Sequence, residues 1–326
     1  MQGPSQAIVA EPAGELREAG WAYDVAFKRN RGLVSVSEQA RLRAATVAIA
    51  GAGGVGGSHA LTLARQGVGG FKLIDPDTFS VVNFNRQVGA RVSSVGLKKA
   101  AEIGRMVRDI NPEARVEIWD EFLGPKNVDA FLDGADVVLD GLDYFALPAR
   151  RLLFQKAREK GLWALTAGPL GFSSVLLAFS PQGMSFDRYC DLRPGMALID
   201  QLISFTVALA PQMLHLRYTD MSQVEISEGA GPSSIIACQL CSSLIALEAL
   251  ALLRGRRTPL AAPRYLQFDP FRRILGRGRL WFGNRGPLQR LKRYLVKRKF
   301  QKMGLLDPQG NPTRGLPASL RGGDPA

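Results

Sequence analysis

Short apolar runs separated by stretches of helical spacing organise the first half of this chain. Residues 46–50, 71–74, 115–119, 136–140 and 162–167 are apolar runs of strand length, and such runs predict strands buried on both faces of a sheet. The segments between them, 57–66, 96–109, 127–132 and 147–160, predict helices. Asn111 and Pro112 close the second, and Gly161 stops the fourth. A short helix is also expected over 35–43, with Ser37 and Glu38 near its start and Leu42 as its apolar contact. Strands alternating with helices predict an α/β fold on a doubly wound, largely parallel sheet.

Beyond Gly171 the alternation stops. A strand is expected over 175–179, a Gly-, Asp- and Arg-rich loop over 181–195, and an apolar helix over 200–217 interrupted by Pro211. A second long helix over 232–253 and a last strand over 265–268 complete a mixed C-terminal half. Residues 235–253 approach membrane-spanning length but contain Gln239, two serines and Glu248, so a buried helix is expected rather than a span. In a final helix over 287–304, Leu288, Leu291 and Leu295 fall at i, i+3 and i+7, with cations on the other face.

The 326 residues and an apolar content of 46% suit one large or two modest globular domains. Three cysteines without a paired framework fit a reducing compartment. The N-terminus carries no basic region followed by an apolar core, so a cytoplasmic location is expected. The net charge of +13 is unevenly spread. Residues 251–326 hold 18 Lys/Arg against three Asp, +15, leaving −2 for the first 250 residues. Any contact with a polyanion, tRNA among them, or with an anionic membrane therefore belongs to the C-terminal quarter. A solvated helix with its leucines packed on the domain is the plain alternative.

Four signals between residues 47 and 143 make sense together around a bound triphosphate. The first is V-A-I-A-G-A-G-G-V-G-G over 47–57, in which Gly51, Gly53, Gly54 and Gly56 allow a tight turn and close phosphate approach. The second is L-I-D-P-D over 73–77: Asp75 lies 19 residues after Gly56, suitable for ribose hydroxyls, with Asp77 beside it. Alone, these two also describe an NAD or FAD enzyme, or a Gly-rich turn with no ligand. The third is N-F-N-R-Q over 83–87 followed by V-G-L-K-K over 95–99, with Arg86 and Lys99 thirteen residues apart. Two cations there suit the charge of a nucleotidyl transfer, while Asn85 and Gln87 could hold the loop. The fourth is V-V-L-D-G-L-D over 137–143, a strand whose end carries Asp140, Leu142 and Asp143. Strand carboxyl ends face the ligand crevice of such sheets, so Asp143 is the candidate Mg²⁺ ligand and Asp140 its support. One of the two could instead cap the helix that follows.

These motifs resemble those of the ThiF/MoeB/HesA family of ubiquitin-activating-like adenylyltransferases. V-x-N-x-N-R-Q, V-G-L-K-K-A and I-N-P-E-A-R-V are similar to its tRNA threonylcarbamoyladenosine dehydratase branch. F-K-R-N-R-G-L, D-G-L-D-Y-F-A-L and Y-L-Q-F-D-P-F are similar to a bacterial group sometimes fused to nitroreductase domains. The resemblance implies a Rossmann-like adenylation domain over 21–270, after a disordered 1–20 and before a basic extension over 271–326. It implies ATP and Mg²⁺ as cofactors, with Gly53, Gly54 and Gly56 on the phosphates and Asp75 on the ribose. Asn83, Arg86 and Lys99 would meet the triphosphate, and Asp143 the Mg²⁺. It also implies a homodimer in which Arg29 or Arg31 reaches into the partner's site. The carboxylate to be adenylated would belong to a ubiquitin-like protein, a peptide, a small molecule or a tRNA base.

Three departures stand out. Cys238 and Cys241 form the sole C-x-x-C, where many relatives have two pairs around a zinc. Two thiolates leave a tetrahedral site half empty, so buried apolar cysteines are expected. Tyr144 follows the metal aspartate where relatives often have Asn. Cys190 is the one candidate for a thioester nucleophile. The readings that compete with adenylation are an NAD- or FAD-dependent oxidoreductase and a non-catalytic nucleotide-binding protein.

Overall fold

The computed structural model describes residues 8–9, 20–220 and 231–313. The expected disorder of 1–20 therefore falls almost wholly outside the described residues. Nine strands form one sheet: β1 (Ile8–Val9), β2 (Thr46–Ala50), β3 (Gly70–Ile74), β4 (Arg115–Trp119), β5 (Val137–Asp140), β6 (Trp163–Leu170), β7 (Ser173–Phe179), β8 (Arg264–Asp269) and β9 (Ile274–Arg279). Their order is β1-β4-β3-β2-β5-β6-β7-β8-β9. Neighbours from β4 to β6 run parallel, whereas β1 against β4, and every pair from β6 to β9, are antiparallel. Strand order reverses between β2 and β5, where Ala50 pairs with Asp140. In a sheet of this kind the crevice at such a reversal is where ligands bind.

Alternation along the strands sorts their side chains between two cores. Val47, Ile49, Val137 and Leu139 face a layer of four helices: α2 (Val36–Ala44), α3 (Gly54–Arg65), α4 (Lys99–Ile110) and α9 (Ile235–Leu253). Ala48, Ala50 and Val138 face the other layer, made of α5 (Val128–Leu132), α6 (Leu147–Glu159), α7 (Phe186–Cys190), α8 (Leu198–Leu209) and α10 (Pro287–Lys302). A single turn, α1 (Tyr23–Ala26), precedes them. On α3, His59 is fully buried with neither ring nitrogen bonded among the described residues. Burial holds its pKa down to about 3, so the ring is neutral.

The doubly wound parallel half matches the sequence expectation, and the second half needs corrections. Residues 181–195 are not all loop. The Ser185 hydroxyl accepts from Arg188 N at 3.2 Å and starts α7, whose Phe186 and Tyr189 are buried at i and i+3. Cys190 ends that helix at 1% exposure with its thiol pushed well up by burial, which removes it as an accessible nucleophile. The expected helix over 200–217 stops at Leu209, before Pro211, and resumes only as a 3₁₀ turn over Leu214–Arg217. Strand β9 is an addition, a Gly/Arg sequence paired with β8.

Two helices leave apolar side chains exposed. Helix α9 is long and apolar enough to cross a membrane by length and composition, yet half of it is buried in the fold. Its outward stripe is Ile236, Gln239, Ser243 and Leu247. In α10 the leucine stripe does not pack on the domain. Leu288, Leu291 and Leu295 are exposed by 62%, 53% and 55%, while Gln289, Val296 and Phe300 face inward.

Candidate nucleotide site

Three backbone strands of chain meet at the reversal of strand order, and glycine permits the meeting. Gly51 leaves β2 at φ +87°, and a Cβ there would lie 2.3 Å from Gly141 O. A Cβ on Gly56 would lie 1.8 Å from Gly51 O, and one on Gly141 would lie 2.7 Å from Gly56 Cα. The end of β2, the start of α3 and the turn after β5 are thus in direct backbone contact. Gly53 is the N-cap of α3 and makes no side-chain cap, so the first amides of a twelve-residue helix stay open towards the crevice.

The residues singled out from the sequence surround this turn, several of them in roles other than those expected. Asp75 is buried, and its two carboxylate oxygens already accept from Ala52 N at 2.7 Å and Asp77 N at 2.9 Å. Its first job is to hold the glycine turn against the end of β3; burial raises its pKa against the pull of those two amides. Asp77 is exposed and pairs with Lys99 Nζ at 2.8 Å, and Lys99 itself is buried at the first position of α4. Asn83 accepts from Ser80 N and so shapes its own loop. Asn85 donates to Ser233 O at 2.9 Å and accepts Ile235 N through its carbonyl, tying that loop to the start of α9.

Arg86 is half-buried and folded back on its loop, donating to Val82 O at 2.9 Å and Asn85 Oδ1 at 3.0 Å. It nevertheless borders the helix start: a Cβ on Gly54 would lie 3.6 Å from Arg86 O and 3.8 Å from its Cγ. Gln87 lies against Gly53, 3.5 Å from a Cβ placed there. Its Oε1 is buried and has no hydrogen-bond partner among the described residues. A buried acceptor left open at the mouth of the turn fits a donor from a ligand or its water.

On the other side of the crevice the loop after β5 is braced by a residue that sequence reading missed. Arg150 on α6 donates to Asp140 Oδ2 at 2.7 Å, Leu142 O at 2.6 Å and Asp143 O at 3.2 Å. Both partners of the ion pair are buried. A signal existed: Arg150 sits on the apolar face of α6 with Leu147, Leu153, Phe154 and Ala157. Gly141 was likewise passed over between two carboxylates. Asp140 also accepts from Leu142 N, and so supports the loop from within. Tyr144 donates to Thr206 Oγ1, which in turn donates to Leu202 O, and this locks the loop to α8.

Asp143 is exposed, and among the described residues only its Oδ1 is engaged, by Phe145 N at 2.9 Å. Neither aspartate caps α6, whose N-cap is Ala146. No group of three or more His, Cys, Asp or Glu suited to a metal occurs among the described residues. One open carboxylate is the donor set that suits Mg²⁺ shared with phosphate oxygens, as distinct from a self-contained protein cage. Cys238 and Cys241 point inward from α9. A Cβ on Gly54 would meet Cys238 Sγ at 3.1 Å, Ser174 Oγ lies 3.0 Å from Cys241 Sγ, and burial pushes both thiols up.

Arg29 and Arg31 are exposed and lie far from this chain's own turn. Asn30 between them bonds Gln66 O at the far end of α3. Twelve residues at 1.5 Å each put that end about 18 Å from the glycines.

The sequence model of the ThiF family matches residues 27–280. The tRNA threonylcarbamoyladenosine dehydratase of Escherichia coli K12 is 38% identical over 128 residues, 39% of this chain and 47% of the relative. The chain spans about half the length of the curated relatives it matches. The crystal structure of E. coli tRNA N6-threonylcarbamoyladenosine dehydratase, TcdA, superposes with a TM-score of 0.53 at 23% identity, over 72% of this chain and 95% of that one. That of E. coli MccB with ATP does so with 0.56 at 18% identity, over 78% and 67%. At these identities the two structures establish a shared fold.

Proposed function

We propose, from the premise that this chain belongs to the ThiF family, that it adenylates a carboxylate with Mg-ATP and releases pyrophosphate. The observation that supports this most is the contact of the open α3 start at Gly53 and Gly54 with the Gln87 side chain and Arg86, across from a loop that presents Asp143. ATP would lie with its phosphates on the α3 amides, and Arg86 would turn from Val82 O to meet them. Lys99 adds a second cation, and Asp143 would hold Mg²⁺. The ion would neutralise phosphate charge. A substrate carboxylate oxygen attacks the α-phosphorus, the bond to the bridging oxygen breaks, and pyrophosphate departs. No base is needed, because the carboxylate is already ionised at neutral pH; orientation and charge neutralisation carry the step. The substrate class is the C-terminus of a ubiquitin-like or sulfur-carrier protein or peptide, or the carboxylate of a small molecule or tRNA base. A solved relative holding ATP is consistent with the nucleotide.

ATP–pyrophosphate exchange, run with a panel of such carboxylates, tests the reading. Arg86→Ala and Asp143→Ala are each expected to lower exchange by about 100-fold, the scale for removing one electrostatic contact to a transition state. Wild-type exchange in both variants, or tighter binding of NAD than of Mg-ATP by calorimetry, would sink it.

The same reading makes the protein a homodimer through α9. Val81, Val82 and Phe84 are exposed beside the start of α9, Ile236 and Leu247 along it, and Leu33 and Val36 at its far end, where Arg254 bonds Leu33 O. A strip of this kind marks an interface, and a two-fold pairing would bring Arg29 or Arg31 to the partner's nucleotide. Light scattering should give a dimer for the wild type and a monomer for Leu247→Glu. A monomeric wild type, with and without ATP, refutes it.

A further inference from the structure

A cavity of about 500 Å³ lies between α8 and α10 and shares no residue with the nucleotide turn. Arg193, Arg290, Arg293, Tyr294, Lys297 and Asp200 are among its walls. Behind it sits Asp191, whose carboxylate is fully buried and whose backbone is left-handed at φ 56°. Three guanidinium groups converge on that one carboxylate: Arg193 and Arg293 at 3.0 Å and Arg285 at 2.8 Å. Burial alone would raise the Asp191 carboxyl, but hydrogen bonds from Arg193 and Arg285 and the charge of Arg293 outweigh it and hold it at about 2.

Charge is not balanced here. Lys297 pairs with Asp200 at 2.7 Å, which leaves one carboxylate, Asp191, against four arginines, Arg193, Arg285, Arg290 and Arg293. Arg290 is exposed and has no side-chain partner among the described residues. Each arginine on Asp191 has further N–H groups to offer, and the buried carboxylate fixes the planes of those forks in advance. Fixed guanidinium forks with a surplus of positive charge match the oxygens of a phosphate in geometry and in charge. Helix α10 lies beyond the residues matched by the family model, so one wall of this cavity stands outside the family domain while Arg193, Asp200 and Ile203 stand within it. Its wall residue Ile203 is three positions before Thr206, the α8 residue that holds Tyr144. An occupant would therefore pack on the helix that braces the Asp143 loop.

We infer that this cavity binds the phosphate group of a phosphorylated ligand, held by Arg290, Arg293 and Arg193. The source is either a free phosphorylated small molecule or the backbone of RNA, and two probes separate them. Inorganic pyrophosphate is titrated into the full chain by calorimetry, and a short labelled single-stranded RNA by fluorescence anisotropy, both at low salt. Arg290→Glu removes a cavity cation that supports nothing else in the fold. Lys299→Glu makes the same charge change on the exposed side of α10, and Arg86→Ala alters the nucleotide turn.

At least one probe should bind saturably, and Arg290→Glu should weaken it about tenfold or more, the scale of one charge-assisted hydrogen bond. Lys299→Glu and Arg86→Ala should change it by no more than about twofold, as befits residues outside the cavity. Pyrophosphate binding that Arg290→Glu weakens and Arg86→Ala leaves in place identifies a small ligand at this cavity, apart from any pyrophosphate held as product at the nucleotide turn, and Arg290-dependent binding of RNA alone identifies the polymer. Three results overturn the inference: no saturable binding of either probe, equal losses in Arg290→Glu and Lys299→Glu, or a loss confined to Arg86→Ala. The last of these would assign the phosphate to the nucleotide turn.

Discussion

Gly56→Ala is expected to abolish ATP–pyrophosphate exchange, by roughly a thousandfold or more, since it displaces every phosphate-facing amide of α3 at once. The added methyl would sit 1.8 Å from Gly51 O and 3.5 Å from Gly141 Cα. Neither neighbour is a flexible side chain that can swing aside. Relief must come from moving the start of α3 away from β2 and β5, and displacements of about 1 Å already cost about 100-fold in rate. Overpacking should also lower stability by about 1–3 kcal/mol, and more if the glycine contacts open together. Exchange assays and urea denaturation of the variant would read both effects. Wild-type values in both would mean that the three backbones do not meet as described.

Removing Arg150 should be the most destabilising single side-chain truncation at the crevice. Arg150→Ala leaves the Asp140 carboxylate buried without its partner, a situation that costs about 3–5 kcal/mol. It also strips the donor from the carbonyls of Leu142 and Asp143 and empties the space over the Phe205 ring, 4.9 Å from the guanidinium carbon. Urea denaturation should report the loss. The double variant Asp140→Ala/Arg150→Leu should recover a large part of the stability, because no charge is left stranded. It should not recover exchange, because nothing then holds the loop that carries Asp143. Additive losses in the double variant would show that the two side chains do not act as a pair. Full exchange in the double variant would show that the loop needs no brace.

The parallel half of the fold was legible in the sequence because its signals are local. An apolar run of strand length at 46–50 or 137–140 has few alternatives once glycines and a helix follow, and β2 and β5 form where that pattern lies. The glycine turn was legible for the same reason, since a residue without Cβ is demanded wherever backbones touch. What those glycines touch was not. Gly51, Gly56 and Gly141 belong to segments as much as 90 residues apart, and only the sheet brings them together. Asp75 was read as a carboxylate for ribose hydroxyls, but its oxygens also accept from Asp77 N and Ala52 N, the second a partner that exists only once β3 lies beside β2. Cys190 looked accessible in a stretch rich in Gly, Asp and Arg, and the α7 turn buries it under α8 and Asn284.

Helix α10 gives the clearest division. Its sequence offers two candidate inner faces, the stripe of Leu288, Leu291 and Leu295 and the set of Gln289, Val296 and Phe300. Periodicity favours the first. The tertiary structure chooses the second through polar contacts: Gln289 Nε2 donates to Asn284 Oδ1 at 3.2 Å, Asn284 Nδ2 to Ser204 O at 2.5 Å, and Lys292 Nζ to Pro211 O at 2.6 Å. Arg293 reaches the buried Asp191 from the same side. Rotating the helix to bury its leucines would strip the α10 donors from Pro211 O and Asn284 Oδ1 and take one of its three guanidinium partners from Asp191. Unpaired buried polar groups cost more than a few exposed leucines, and a buried carboxylate costs most of all. The sequence by itself determined the strands and helices of the parallel half and where a nucleotide's phosphates could lie. Which face of each helix is buried, and which charged groups serve the fold, was decided by hydrogen-bond partners far away along the chain.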